Sequence, residues 1–127
     1  MQYGFSKDVA LSYEDTINKV TGELKKEGFG VLTKIDVKDT LKNKINVDFK
    51  KYSILGACNP TLAHKALQTE EDIGLLLPCN VVVYEKNEKS VVSIFNPSLM
   101  KEIVSNKSIH SIADEVNEKL HRVLERV

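Results

Sequence analysis

Apolar residues recur at two periods along the chain, and the switches between them divide it into elements. Gln2 to Ser6 alternates polar and aromatic residues, with Tyr3 and Phe5 on one side, and predicts a first strand. At Ser12 the period lengthens. Tyr13, Ile17, Val20 and Leu24 recur at helical spacing, Ser12 with Asp15 forms a capping box with Asp in place of Glu, and Gly28 closes the helix after Glu27. Alternation returns from Phe29 to Val37, a second strand. The polar stretch Lys38 to Asn46 predicts a short helix or irregular turn, with Leu41 and Ile45 touching the body.

Tyr52 to Ala57 is an apolar run of strand length, and Asn59-Pro60 after it reads as an N-cap followed by proline in the first turn of a helix. That helix extends from Pro60 to Thr69 with Leu62, Ala63, Ala66 and Leu67 as its apolar face. Ile73 to Leu77 fits either a packed loop or an extra strand. Val81 to Tyr84 is apolar on both faces, as in a central strand; Glu85 to Ser90 is a turn, and Val91 to Phe95 returns as the second arm of a hairpin. Asn96-Pro97 repeats the cap-and-proline pattern before a short helix through Val104. Ser108 or Ser111 opens a last helix with the stripe Ile112, Val116, Leu120, Val123 and Val127, and the pairs Glu115 with Lys119 and Glu118 with Arg122 are expected on its wet face. No linker, low-complexity stretch or repeat interrupts the series, so one domain over residues 1–127 is expected.

Charge excludes several partner classes. Eighteen Lys and Arg balance eighteen Asp and Glu, so the chain lacks the positive field that nucleic acid needs and none is expected as a partner. Apolar runs such as Val81 to Tyr84 are far shorter than the roughly 20 residues that cross a bilayer. Met1 to Asp8 has no apolar segment ahead of a cleavage site, so neither membrane insertion nor export is expected and the reading is cytoplasmic.

The chemistry concentrates at the two cysteines, Cys58-Asn59-Pro60 and Pro78-Cys79-Asn80, each beside an apolar segment. Cys58 precedes a helix whose N-terminal N–H groups and dipole would depress its pKa and make it a reactive thiolate. The plainer reading, a small buried hydrophobe, is preferred for it and for Cys79. Whether the thiols meet depends on strand direction: antiparallel strands bring them to one edge, and a parallel crossover separates them. Asn59 and Asn80 offer amides to a ligand, although capping alone accounts for Asn59. His64 lacks the paired close spacing of a zinc pattern, so no metal is expected; His110 and His121 are expected to be exposed. Gly28-Phe29-Gly30 leads into a strand and lacks a third glycine, so it is a turn and not a phosphate loop.

Ile54-Leu55-Gly56-Ala57-Cys58-Asn59-Pro60, Ala66-Leu67 and Gly74 to Tyr84, in that order, together with Gly28 to Val31, Asn96-Pro97 and Met100, resemble the bacterial and archaeal family called domain of unknown function 302. The resemblance covers essentially the whole chain. It implies a two-layer α+β fold, a largely antiparallel curved sheet with helices packed on one face, and a homodimer. It implies no activity or cofactor, and its signature positions here are Cys58, Asn59, Pro60, Pro78, Cys79 and Asn80. Residues and resemblance together favour a non-enzymatic module that binds a small polar ligand or a partner segment near Cys58, Asn59, Cys79 and Asn80. The alternative is a thiol-dependent redox protein with Cys58 as nucleophile and Cys79 as resolving partner. The dimer is further expected to cover an edge left by the apolar strands Val81 to Tyr84 and Val91 to Phe95.

Overall fold

A computed structural model describes residues 2–127; Met1, the start of the stretch read for a leader, lies outside them. Five antiparallel strands form one curved sheet in the order β1-β5-β4-β3-β2, with β1 Gly4–Val9, β2 Gly30–Asp36, β3 Tyr52–Cys58, β4 Cys79–Lys86 and β5 Lys89–Phe95. The fold is α+β. β4 is the central strand, as its doubly apolar sequence predicts, and it pairs with β3 and β5. Asn87 and Glu88, with φ of 50° and 66°, make the two-residue hairpin turn between β4 and β5, the left-handed pair whose twist suits the flanking strands. The sheet edges are β1 and β2, so the edge expected on the apolar hairpin is absent. β2 breaks its register at a bulge between Val31 and Thr33 and carries Lys34, while β1 carries Lys7 and Asp8, devices that blunt an edge.

The pleat divides the sheet residues into two faces. Val9, Leu55, Ala57, Cys79, Val81, Val83, Val92 and Ile94 turn inward and are buried. Helix α1 (Tyr13–Lys26) and helix α5 (Lys107–Arg126) lay their stripes on this face, Val20 and Leu24 from the first, Val116, Leu120 and Val123 from the second. Ser12 caps α1 by accepting from the Asp15 N–H, and Gly28 follows its last turn at φ 85°. Lys7 reaches from β1 to the carbonyls of Leu124, Glu125 and Val127 at 2.8–3.3 Å, a cation set on the negative end of α5.

A smaller cluster adjoins this core at one end: Ala66 from helix α3 (Pro60–Thr69), Ile73 from a 3-10 turn (Glu71–Leu76), Met100 from the short helix α4 (Met100–Ile103), and Ile109 and Ala113 from α5. Ile73 to Leu77 is thus neither loop nor strand but mostly a tight helical turn that plugs Ile73 into the core.

Several local expectations shift. β1 begins at Gly4, leaving Tyr3 outside and 83% exposed. Asn106, rather than Ser108 or Ser111, caps α5 by accepting from the Ser108 N–H. Helix α2 (Val37–Ile45) forms, but it buries no residue, and Ile45 is exposed where contact with the body was expected. On α3, Leu67 is exposed and only Leu62 and Ala66 are buried. Arg122 does not take Glu118 as its close partner; it bonds Glu27 across the helix interface, together with Arg126.

Candidate functional site

Antiparallel pairing of β3 with β4 sets Ala57 opposite Cys79 and Gly56 opposite Asn80, and α3 starts directly after β3. Cys58, Asn59, Pro60, Pro78, Cys79 and Asn80 therefore gather at one end of the sheet, resolving the strand direction that sequence leaves open. They do not share one face. Cys79 points inward and is buried, Asn80 points outward and is exposed, and Cys58, the last residue of β3, is half-buried. Both thiols are free.

Asn59 is fully occupied by structure. Its Oδ1 accepts from the Leu62 N–H at 3.2 Å and its Nδ2 donates to the Glu27 carbonyl at 3.4 Å, so one side chain caps α3 and ties it to the end of α1. A Cβ at Gly28 would stand 3.0 Å from that Nδ2, a second reason, after its positive φ, for glycine there. On the outer face, a Cβ at Gly56 would run into the Thr33 hydroxyl and stand 2.8 Å from Cγ of Pro78, which follows a cis peptide bond from Leu77. Gly56 lets these two side chains close over β3. Glycine inside a strand is the signal that marks such an approach.

Cys58 moves opposite to the direction that a helix start would give it. Burial pushes Cys58 up from its ordinary value, and burial followed by the nearby Cys58 charge pushes Cys79 up to about 11. The end of α3 has few free donors to offset this: Pro60 has no N–H, the Leu62 N–H goes to the Asn59 side chain and the Ala63 N–H to the Asn59 carbonyl. Removal from water therefore raises both thiols and favours their protonated form.

Behind these residues lies a small cavity of about 40 Å³ between the two core clusters. Ala57, Cys58, Leu62 and Cys79 wall it from one side, Ala66, Ile73, Met100 and Ala113 from the other, and the two thiols are the only titratable groups on its lining. The volume would hold a water, but the walls offer too few polar partners to keep one, so the space suits an apolar group. Sequence reasoning did not assign Ala66, Ile73, Met100 or Ala113 to the site, because their shared role emerges only when three helical segments converge; it also passed over Gly56, whose place inside a strand was the available signal. His64 is exposed on α3, and among the described residues no group of three or more His, Cys, Asp or Glu side chains could hold a metal ion. His110 is half-buried against the Val104 carbonyl, and His121 stacks on Phe5 with ring centroids 4.0 Å apart.

Comparison with known proteins bears on this geometry. The family described as Domain of unknown function DUF302 matches residues 5–127. The chain belongs to the DUF302 family. A crystal structure of an uncharacterized conserved DUF302 protein from Bacillus stearothermophilus is 30% identical, with 99% of this chain and 98% of that one covered and a TM-score of 0.91. No curated protein matches the chain. DUF302 membership thus establishes the sheet and helices described above and leaves function to be argued from the site. No helix among the described residues is long and apolar enough to cross a membrane.

Proposed function

We propose that this DUF302 chain works as one domain and as a non-enzymatic binding module, whose small-molecule site is the apolar cavity behind Cys58, Asn59 and Cys79. The observation that carries the reading is the cavity itself: it sits at the junction of two core clusters, beside the strand ends and helix start where β3, β4 and α3 converge. A small polar ligand suits the outer side of the same sheet end, where the Asn80 amide is exposed beside Pro78 and Phe95. Thiol exchange is the weaker reading, because raised pKa values deprive both cysteines of thiolate at neutral pH. Two free thiols accord with a reducing, cytoplasmic setting.

The same reading includes a homodimer. Antiparallel sheets with one wet face alternate apolar and polar residues, yet the outer face here carries Ile35, Ile54 and Val82 in one cross-strand row, with Tyr52 and Tyr84 in the next. Tyr52 and Tyr84 stack with centroids 5.2 Å apart, and Ile35 is 48% exposed. A second copy is the occupant this surface fits.

Thermal-shift screening of metabolites tests the ligand: one present at a hundred times its dissociation constant should add about 2.7 kcal/mol. Silence across a broad library, with Asn80→Ala and cavity-lining variants binding nothing either, would remove the proposal. For the dimer, sedimentation at micromolar concentration should give twice the 14.3 kDa chain mass, reverting to one chain in Val82→Lys; a wild-type monomer overturns it.

A further inference from the structure

Helix α3 is held at its two ends and free between them. Asn59 fastens its start. At its end, Asn106 Nδ2 donates to the Thr69 carbonyl at 3.3 Å and to Glu70 Oε1 at 3.4 Å. Among the described residues no hydrogen bond or ion pair joins the body of α3 to α5; only apolar side chains meet there. Where large residues would close such a seam, the facing positions are Ala63, Ala66 and Ala113, and the cavity is the volume those side chains leave. Outside it, between the same two helices, runs an open groove with Lys65, Ser108, Ser111 and Glu115 on its walls. Leu62 and Ile112 border both the cavity and the groove, so these two side chains stand between them. Ile112 is only half-buried, and Lys65 makes no ion pair among the described residues.

We propose that the α3–α5 seam binds a small amphiphile, a medium-length alkyl chain with a carboxylate head. Its apolar end enters the cavity past Leu62 and Ile112, and its head stays in the groove within reach of Lys65 and the hydroxyls of Ser108 and Ser111. This rests on the binding-module reading and names its ligand class. As it stands, 40 Å³ takes little more than one methyl-sized group. A longer chain enters as α3 swings out between its fixed ends, a movement that breaks no hydrogen bond to α5. The apolar walls select against polar metabolites, since burying an unpaired polar group there is unfavourable.

Octanoate, octanol and acetate serve as probes, followed by thermal shift and amide chemical shifts on the full chain. Octanoate should raise Tm and move amides of α3 and the first half of α5; octanol should do so more weakly, and acetate should do neither. Ala66→Leu fills the cavity and should weaken octanoate about tenfold or more through the lost apolar burial. Lys65→Gln should narrow the gap between octanoate and octanol. Should Ala66→Leu fail to fold, Ala113→Val serves as a milder filling, and xenon in wild-type crystals should occupy the space between Ala66 and Cys79. Octanoate that binds equally well to both filled variants overturns the assignment, as does a wild-type protein silent to octanoate and xenon. If in that case a polar compound binds beside Asn80, the binding-module reading survives and the apolar seam alone is wrong.

Discussion

Helices α1 and α3 both lean on α5, and the two seams are built on opposite plans. At the α1 seam, Val20 and Leu24 are fully buried against Leu120 and Val123, and the rim is closed by charge. Glu27, with its side chain 10% exposed, accepts from Arg122 at 3.0 Å and Arg126 at 2.7 Å, and the more deeply buried Glu23 takes Lys26 at 2.8 Å and Lys19 at 3.3 Å. The α3 seam has Ala63, Ala66 and Ala113 beside Leu62, no ion pair across it among the described residues, and a cavity in its middle. One seam fixes a helix on the sheet by charge as well as packing; in the other, among the described residues, no polar contact joins the body of the helix to α5. Under the proposed binding function, plasticity would lie beside the strand ends that hold the ligand, and rigidity on the opposite side.

The largest test of this contrast is truncation of a seam leucine. Leu24→Ala removes methyl groups from a site boxed in by β-strands and α5, which leaves little room to collapse. It should cost about 4 kcal/mol, toward the upper part of the range for such changes, whereas Leu62→Ala should cost about 2 because α3 can settle inward. Urea titrations with unchanged m-values would read both as midpoint shifts. Equal losses would mean that the two seams are equally rigid. Asn59→Ala comes next. It forfeits the α3 cap and the tie to the Glu27 carbonyl together, and should cost about 1–2 kcal/mol. Amide exchange should then quicken along α3 while α1 keeps its protection; simultaneous loss in both helices would break the contrast.

Half of this picture is legible in the residues. Ser12, Asn59 and Gly28 announce their capping and turn roles because those roles are local, satisfied within a few residues of chain. Val81 to Val83 announces a central strand because both of its faces are apolar. The strand order is not local, and neither is the choice of Glu27 as partner for Arg122. The i,i+4 carboxylate of Glu118 is closer in sequence, but Glu27 is the partner sheltered from water at the helix interface. Asn106 outcompetes Ser108 as a cap because its amide also reaches Thr69 and Glu70 across the fold, a contact no helix-start pattern encodes. For the site, the two Cys-Asn motifs are visible in sequence, but not that antiparallel pairing brings them to one end of the sheet, nor that Cys79 is buried there while Asn80 is exposed. Nor is it visible that burial raises the Cys58 thiol. The cavity is the least legible feature of all, since a single alanine on a helix is ordinary and three meet only in the folded chain.

The smallest effect separates the seams by pH. The Arg122 and Arg126 guanidiniums hold the Glu27 carboxyl down from its ordinary 4.5 to about 2, and Lys26, ahead of Lys19, lowers Glu23 against the opposing effect of burial. Between those two values the unfolded chain takes up the Glu27 proton and the folded chain does not. The stabilisation from this pair is therefore complete above pH 4.5 and is lost as pH falls toward 2. Glu27→Gln should lower Tm at neutral pH and flatten the dependence across that window. The cavity in the α3 seam is lined by no carboxylate, and Glu115 in the groove outside it makes no ion pair among the described residues, so no cross-helix charge pair is there to be lost. Amide exchange at pH 3 should accordingly show the α1–α5 rim losing protection relative to pH 6, with the change at α3 no larger than global destabilisation requires. Protection lost first at α3 would show that the rim charges are surface pairs of negligible worth and that α1 is held by its apolar stripe alone.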